Sequence, residues 1–351
     1  PSSAASDVYK RQPYPVLLQR AVQQADPTLS CELWRWGLSW RRLLSSRRPH
    51  VLHLHWIEIL YRHYARWPTR LWLWLNTLMV ISVARLLGVK IIYTVHNVWQ
   101  HQLEGQQLYR LAHGFVLRMA HAVHVHSELA QDELLRSFRC PCPVVVIPHG
   151  NYVTWYPNEC GREEARRRLG LPLDGFVYLS LGNVRPYKGI EELLRSFAAV
   201  EGETLVLVIA GRVPRSEYKE RLQALAAGDP RVRLHLDYVP DDEVQFFMNG
   251  ADVAVLPYRR ATTSGAAILA LSFGLPVIAP ALGPFPSLLG QGAGLLYDPQ
   301  RPQALTEALR AARQMDLATA RQAAWEAARC LDWEPIGQRF VALYRQVMEG
   351  N

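Results

Sequence analysis

The sequence has no run long and apolar enough to cross a bilayer. The nearest stretch, Leu71 to Ala84, is interrupted by Asn76, Thr77 and Ser82 and closed by Arg85. As a helix it covers roughly 21 Å, against a hydrocarbon core of about 30 Å. A membrane-spanning reading is therefore excluded. The N-terminus is polar and carries no apolar segment of the kind that heads a secretory signal. Cysteine is scarce: Cys31, Cys140, Cys142, Cys160 and Cys330 have spacings that suit neither a zinc site nor a disulfide framework. Cys140-Pro141-Cys142 reads as two small apolar residues ahead of a strand, not as a redox pair. The expected compartment is a reducing cytoplasm. No nucleic-acid motif accompanies the basic residues, and no carboxylate cluster accompanies the histidines, so neither nucleic acid nor a metal is expected.

What is present fits a soluble α/β protein. About half of the 351 residues are apolar and a fifth are charged, enough for two domains with separate cores. Residues 1–12 are polar and small, without an apolar period, and are expected to be non-native sequence outside the fold. Pro13-Tyr14 then leads straight into a helical pattern, where an α/β domain of this kind would open with a strand. Strand and helix patterns alternate from there: strands at 51–55, 90–95, 122–126 and 144–147, with helices at 71–87, 103–119 and 129–137 between them. Pro148-His149-Gly150 opens a loop running past Pro157. The alternation resumes with strands at 176–181, 205–210, 232–236, 253–256, 276–279 and 294–297. Helices are predicted at 190–200, 218–227, 241–249 and 265–273, and over 302–349 with a break at Pro335. Short strands alternating with helices predict two parallel sheets with right-handed crossovers. The predicted division is 13–155, 156–332 and a terminal helix over 333–351.

Charge is uneven. Residues 1–160 hold 17 Lys and Arg against 9 Asp and Glu, whereas the remainder holds 22 of each. Nine of the eleven Trp lie in the same basic part, interleaved with Arg in Trp34-Arg35-Trp36, Trp40-Arg41-Arg42, Arg66-Trp67 and Arg70-Leu71-Trp72. Cations mixed with aromatics suit an anionic membrane interface, which places the protein in the cytoplasm or peripherally on the inner face of the plasma membrane.

Two stretches carry the chemistry. Gly182-Asn183-Val184-Arg185-Pro186-Tyr187-Lys188-Gly189 puts two cations on a turn between a strand and a helix. Arg259-Arg260-Ala261-Thr262-Thr263-Ser264-Gly265 puts small polar residues and a glycine at a helix start. Fixed positive charge beside free backbone N–H groups suits a diphosphate. Arg185 and Lys188 are the candidate catalytic cations, since fixed charge stabilises a departing diphosphate more in the transition state than before it. Thr262, Thr263, Ser264 and Gly265 are candidate phosphate contacts, and Arg259 or Arg260 a further one. Gly211-Arg212 and Asp237-Tyr238-Val239-Pro240 end successive strands.

The whole arrangement, over residues 13–349, resembles the GT-B glycosyltransferases and within them the large family 4. Gly182 to Gly189 resembles that family's G-R-x-x-x-x-K-G loop, with Asn183 at the loop's usual Arg. Leu271 to Ala279 resembles its helix-to-strand signature. Val95-His96-Asn97, Val125-His126-Ser127 and Ile147-Pro148-His149-Gly150 match landmarks of its first domain and linker. The resemblance implies two Rossmann-like parallel-sheet domains facing a central cleft, with the last helix crossing back to the first domain. It implies transfer of a sugar from a nucleotide-sugar donor, GDP-mannose being slightly favoured over a UDP-sugar, to a hydroxyl acceptor, with retained anomeric configuration and without a metal or cofactor. The basic, Trp-rich first domain suits a lipid-linked acceptor or a polysaccharide precursor. By the same resemblance Asn183, Arg212, Tyr238 and Val239 help to hold the nucleotide, and His96, with His126, meets the sugar or a phosphate oxygen. The family's acidic pair, E-x7-E, falls on Ala261 and Leu269, so both of its hydrogen bonds are absent or supplied elsewhere. That departure supports a second reading, a nucleotide-binding scaffold of attenuated activity.

Overall fold

The computed structural model describes residues 13–34, 40–46, 48–57, 67–99, 106–290 and 292–350. Arg35, Trp36 and Arg66, residues 1–12 and the predicted helical residues 103–105 lie outside them. The chain divides into two compact units: one reaches Gly150 and takes up again at Trp333, the other is Asn151–Asp332.

The first unit opens with α1 (Pro13–Ala25) and the short α2 (Trp40–Leu43). There follow β1 (Val51–His55), α3 (Trp67–Leu86), β2 (Lys90–Thr94), α4 (Gln106–Met119), β3 (Ala122–Val125), α5 (Glu128–Ser137) and β4 (Val144–Val146). The strands form one parallel sheet in the order β1-β2-β3-β4. Alternation along β2 sorts its two faces. Ile91 and Tyr93 enter a core with Val80, Ile81, Ala84, Val116 and Leu117 of α3 and α4. Ile92 instead meets Tyr14, Leu18 and Val22 of α1, with Ile336, Phe340 and Leu343 of the last helix. Burying each of those large side chains contributes roughly 1.5–3 kcal/mol. Gly337 allows the crossing, because a Cβ there would lie 2.5 Å from the Ala21 carbonyl oxygen. Arg345 adds an ion pair to Asp26 at 2.6 Å. The terminal helix thus belongs to the first unit.

The second unit contains α6 (Arg162–Arg168), β5 (Phe176–Leu181), α7 (Ile190–Ala198), β6 (Leu205–Ala210), α8 (Ser216–Ala226), β7 (Val232–His235), α9 (Val244–Gly250) and β8 (Val253–Val255). It continues with α10 (Gly265–Ser272), β9 (Val277–Pro280), α11 (Phe285–Leu289), β10 (Gly294–Tyr297), α12 (Ala304–Ala312) and α13 (Leu317–Arg329). Its six parallel strands run β10-β9-β8-β5-β6-β7. β6 is buried at every position, as expected of a strand covered by helices on both faces.

Besides the added short α2, three features depart from the sequence expectation. Helix α6 occupies what reads as loop; its sequence, REEARRR, is almost all charged, yet Arg166 is fully buried. There its guanidinium pairs with Asp252 at 2.7 Å and donates to the carbonyls of Gly250, Pro172, Leu173 and Gly175. Helix α11 is also additional. The C-terminal helical stretch breaks at 313–316 and 330–332, not at Pro335. That proline sits in the first turn of α14 (Trp333–Glu349), where the missing N–H costs no helical bond. Asp316 marks the first break, accepting from the N–H groups of Ala318 and Thr319 as N-cap of α13.

Candidate active site

In the second sheet the chain starts at β5, builds outward to β6 and β7, then returns to the other side of β5 with β8. Adjacent strands whose connections leave in opposite directions open a crevice at their carboxyl ends, where α/β proteins bind ligands. The two phosphate-like stretches follow these two strands: Gly182 to Gly189 after β5, and Pro257 to Gly265 after β8.

The two turns are fastened together. Arg259 N–H donates to the Tyr187 carbonyl at 2.9 Å. Gly189 has φ +70°, and a Cβ there would lie 1.9 Å from the Pro257 carbonyl oxygen. Only glycine satisfies both conditions. The Tyr187 and Tyr258 rings meet edge to face at 6.2 Å. The Lys188 ammonium lies 5.1 Å from the centre of the Tyr258 ring, and a Cβ on Gly182 would come within 3.1 Å of Nζ, so the charge sits over the end of β5. No carboxylate pairs with Lys188 among the described residues. Burial pulls its pKa down, a shift that Tyr187 opposes and Arg185 adds to.

Burial pushes the Tyr258 phenol pKa up and keeps it protonated, a shift that the adjacent Ser264 side chain opposes. Ser264 is the N-cap of α10 and accepts from Ala267 N–H at 3.2 Å. One side chain therefore touches the loop lysine and the helix N-terminus. The Thr263 hydroxyl oxygen is buried there and has no hydrogen-bond partner among the described residues. Arg185 is half-buried at the start of the short 3-10 turn Pro186–Lys188. Asn183, Arg259 and Arg260 are exposed.

The neighbouring turns continue this edge. Val184 N–H donates to the Arg212 carbonyl at 3.0 Å and Gly211 N–H to that of His235 at 2.8 Å. The Arg212 side chain is exposed. Tyr238 is half-exposed, its hydroxyl 3.4 Å from Asp241. Val239 packs against the core, and among the described residues its N–H and C=O make no backbone hydrogen bond. Two residues escaped the sequence reading. The Tyr152 hydroxyl would lie 3.2 Å from a Cβ on Gly265, against the start of α10, and its ring meets Tyr156 at 6.0 Å. The signal was an aromatic pair four residues apart inside an apparent loop. The family's acidic positions are filled by packing: Leu269 is in the core, and a Cβ on Gly283 would lie 2.0 Å from the Ala261 carbonyl oxygen.

His96 and His126 belong to the first unit, at the ends of β2 and β3, and are brought together there. His96 Nδ1 is 3.0 Å from His126 Nε2, and His96 Nε2 is 3.1 Å from His55 Nδ1. Both ring nitrogens of His96 are thus engaged by other histidines, and its ring stacks on Trp56 at 3.7 Å. A parallel chain runs from Tyr344 through His53, Thr94 and His124 to the Ile147 carbonyl, with contacts of 2.7 to 2.9 Å. Burial pushes these imidazoles down, His55 to about 3 and His124 and His149 to about 4, with the neighbouring histidines adding to the shift of His55. His96 and His126 fall well below the ordinary value for the same two reasons. The array is neutral near pH 7, so it presents hydrogen bonds, not charge. Among the described residues no group of three or more His, Cys, Asp or Glu is arranged to hold a metal ion.

Residues 161–329 match the family described as Glycosyl transferases group 1, and residues 7–150 match the Glycosyl transferase 4-like domain. The chain is 28% identical over 242 residues to a GDP-mannose:glycolipid 4-beta-D-mannosyltransferase of Xanthomonas campestris pv. campestris, covering 69% of this chain and 64% of that protein. It therefore spans a little under two thirds of that relative. Among solved structures, a sucrose-phosphate synthase from Thermosynechococcus elongatus superposes with a TM-score of 0.68 at 25% identity, over 79% of this chain and 73% of that one. Anabaena HepE, solved with UDP-glucose, superposes with a TM-score of 0.67 at 20% identity, over 77% of this chain and 76% of that one.

Proposed function

We propose, from the premise that this chain belongs to the family-4-like glycosyltransferases of the GT-B fold, that it moves a sugar from a nucleotide-sugar donor to a hydroxyl acceptor. The observation that carries the reading is the Tyr258 contact to both Lys188 and Ser264 across the β5/β8 switch point. The donor diphosphate lies there, with Lys188 and Arg185 as cations and the start of α10 supplying N–H groups. Thr262, Thr263, Ser264 and the Tyr152 hydroxyl complete the cradle, and Arg259 or Arg260 adds charge at its rim. Val239 reads the base edge beside Tyr238, Arg212 and Asn183. The bond from the anomeric carbon to the diphosphate oxygen breaks, the acceptor oxygen bonds that carbon, and the hydroxyl proton is taken up by the leaving diphosphate. Lys188 and Arg185 meet the charge as it builds.

The donor is GDP-mannose in this reading. Support comes from the Xanthomonas relative, whose name, GDP-mannose:glycolipid 4-beta-D-mannosyltransferase, pairs that donor with a glycolipid. The acceptor is a lipid-linked sugar of a growing polysaccharide, reached at a membrane surface. The neutral histidines around His96 and His126 suit an uncharged, hydroxyl-rich acceptor. No metal or cofactor takes part. Anomeric configuration is retained, following the family expectation.

Incubation with labelled GDP-mannose, UDP-glucose and ADP-glucose and a lipid-linked acceptor pool tests this. Label should enter the lipid fraction from GDP-mannose, and the coupling constant of the new anomeric proton gives its configuration. Ala261 and Leu269 at the acidic positions favour a second reading, a nucleotide-binding scaffold. It predicts nucleotide binding with no labelled product from any donor.

A further inference from the structure

Helices α3 and α4 connect β1 to β2 and β2 to β3 in a sheet ordered β1-β2-β3. Right-handed crossovers put both on the same face. They are tied side by side: Trp74 Nε1 donates to the Leu108 carbonyl at 3.2 Å and Arg85 to that of Met119 at 2.5 Å. Their inner sides are spent on the core through Thr77, Val80, Ile81 and Ala84 of α3 and Ala112, Val116 and Leu117 of α4. Their outer sides are not those of an ordinary surface helix pair. Trp72, Leu75 and Met79 stand at i, i+3 and i+7 with 63%, 53% and 53% of their surface exposed, and Leu111 of α4 is 61% exposed.

The charge carried by the helices themselves has one sign. Helices α2, α3 and α4 contain Arg41, Arg42, Arg70, Arg85, Arg110 and Arg118 and not one Asp or Glu. Arg110 and Arg118 are exposed on the same outer side of α4 as Leu111. Trp40 Nε1 donates to Asn76 Oδ1 at 2.9 Å, which fixes the Arg41-Arg42 pair beside α3. Arg42 is paired with Glu32, whereas Arg41, Arg110 and Arg118 have no carboxylate partner among the described residues. Apolar side chains long enough to enter a headgroup region, flanked by these cations, match an anionic lipid interface in both hydrophobicity and charge. No helix among the described residues is long and apolar enough to cross a membrane, so the contact is one of lying on the surface.

We propose that the outer face of α3 and α4, centred on Trp72, Leu75, Met79 and Leu111, docks the protein on the surface of an anionic phospholipid bilayer. This rests on the membrane-proximal part of the reading above and is independent of the transfer chemistry.

The test is flotation of the full chain with vesicles of phosphatidylcholine and phosphatidylglycerol at about 3:1, against phosphatidylcholine alone. The protein should float with the anionic vesicles only. Adding 0.5 M NaCl should weaken recovery, and the double variant Trp72→Glu, Met79→Glu should lower the apparent partition coefficient at least tenfold. Its circular dichroism melt and GDP binding should match the parent, since both side chains point away from the core. No flotation, equal recovery with neutral vesicles, or a variant that floats like the parent overturns the proposal. A parent that is dimeric by light scattering, with a variant that is monomeric and floats unchanged, assigns the face to a second copy and also overturns it. Failure of GDP to bind a parent that still floats sinks the donor-site reading and leaves the docking face standing.

Discussion

The carboxyl ends of the two sheets answer the same architectural problem with opposite chemistry. In the second unit the edge carries permanent charge and donors: Lys188, Arg185 and the start of α10, joined through Tyr258. In the first unit it carries imidazoles that bond one another and have been driven neutral by burial. In the proposed reading the edge of the second unit meets an anion whose charge grows during reaction, and that of the first meets partners that only exchange hydrogen bonds. A parallel α/β sheet therefore fixes where a ligand goes, while the residues on its turns fix what kind.

Acid should separate the two edges most strongly. His55, His113, His124 and His149 are held at about 3 to 4 by burial, below an unfolded value near 6.5. The unfolded chain therefore binds more protons than the folded one between those limits. Stability is complete above about pH 6.5 and falls as pH drops toward 4, by up to about 1.4 kcal/mol per pH unit for each such group. Melts followed by hydrogen exchange from pH 7.5 to 4.5 should show β1 to β4 losing protection before β5 to β10. Equal loss in both units would erase the contrast.

Arg166→Ala should act next, and only on the second unit. It leaves Asp252, which is 2% exposed, without its buried partner, at about 3–5 kcal/mol. Denaturation should show the second unit's transition moving to lower denaturant while the first unit's stays in place. Lys188→Ala should leave both units folded and lower transfer by about 10²–10³-fold, the size of losing one fixed charge-stabilising donor. A change in donor KM alone would mean that the lysine only holds the ground state. Tyr258→Phe is the smallest: it keeps the ring under Lys188 and removes the hydroxyl beside Ser264, a change of about 1 kcal/mol. GDP affinity should fall severalfold, whereas a Tyr258→Leu variant should fall further because the ring is lost too.

Much of this was legible in the sequence because it depends on local pattern. The alternation of β-rich apolar runs with helices gave both sheets, and the strand β6, LVLVIA, is unmistakable. Ser264 ahead of a helix and Gly189 after two cations are signals of turn chemistry. Other features depend on contacts between distant residues. Nothing in REEARRR announces that Arg166 is fully buried, because its partners lie up to 86 residues away. Tyr258 lies two residues past the predicted strand at 253–256, and its bridging role needs β5 and β8 to be neighbours. His96 reads from the resemblance as a sugar or phosphate contact at a strand end, and only the register of β1, β2 and β3 sets His55 and His126 on either side of it.

The central claim is that a diphosphate is held at the β5/β8 switch point. Calorimetric titration of the same protein with GDP and with GMP isolates the second phosphate. GDP should bind at least tenfold more tightly, and Lys188→Ala should abolish most of that difference while leaving GMP affinity nearly unchanged. Equal affinities for GDP and GMP, or a preference that survives Lys188→Ala intact, would contradict it.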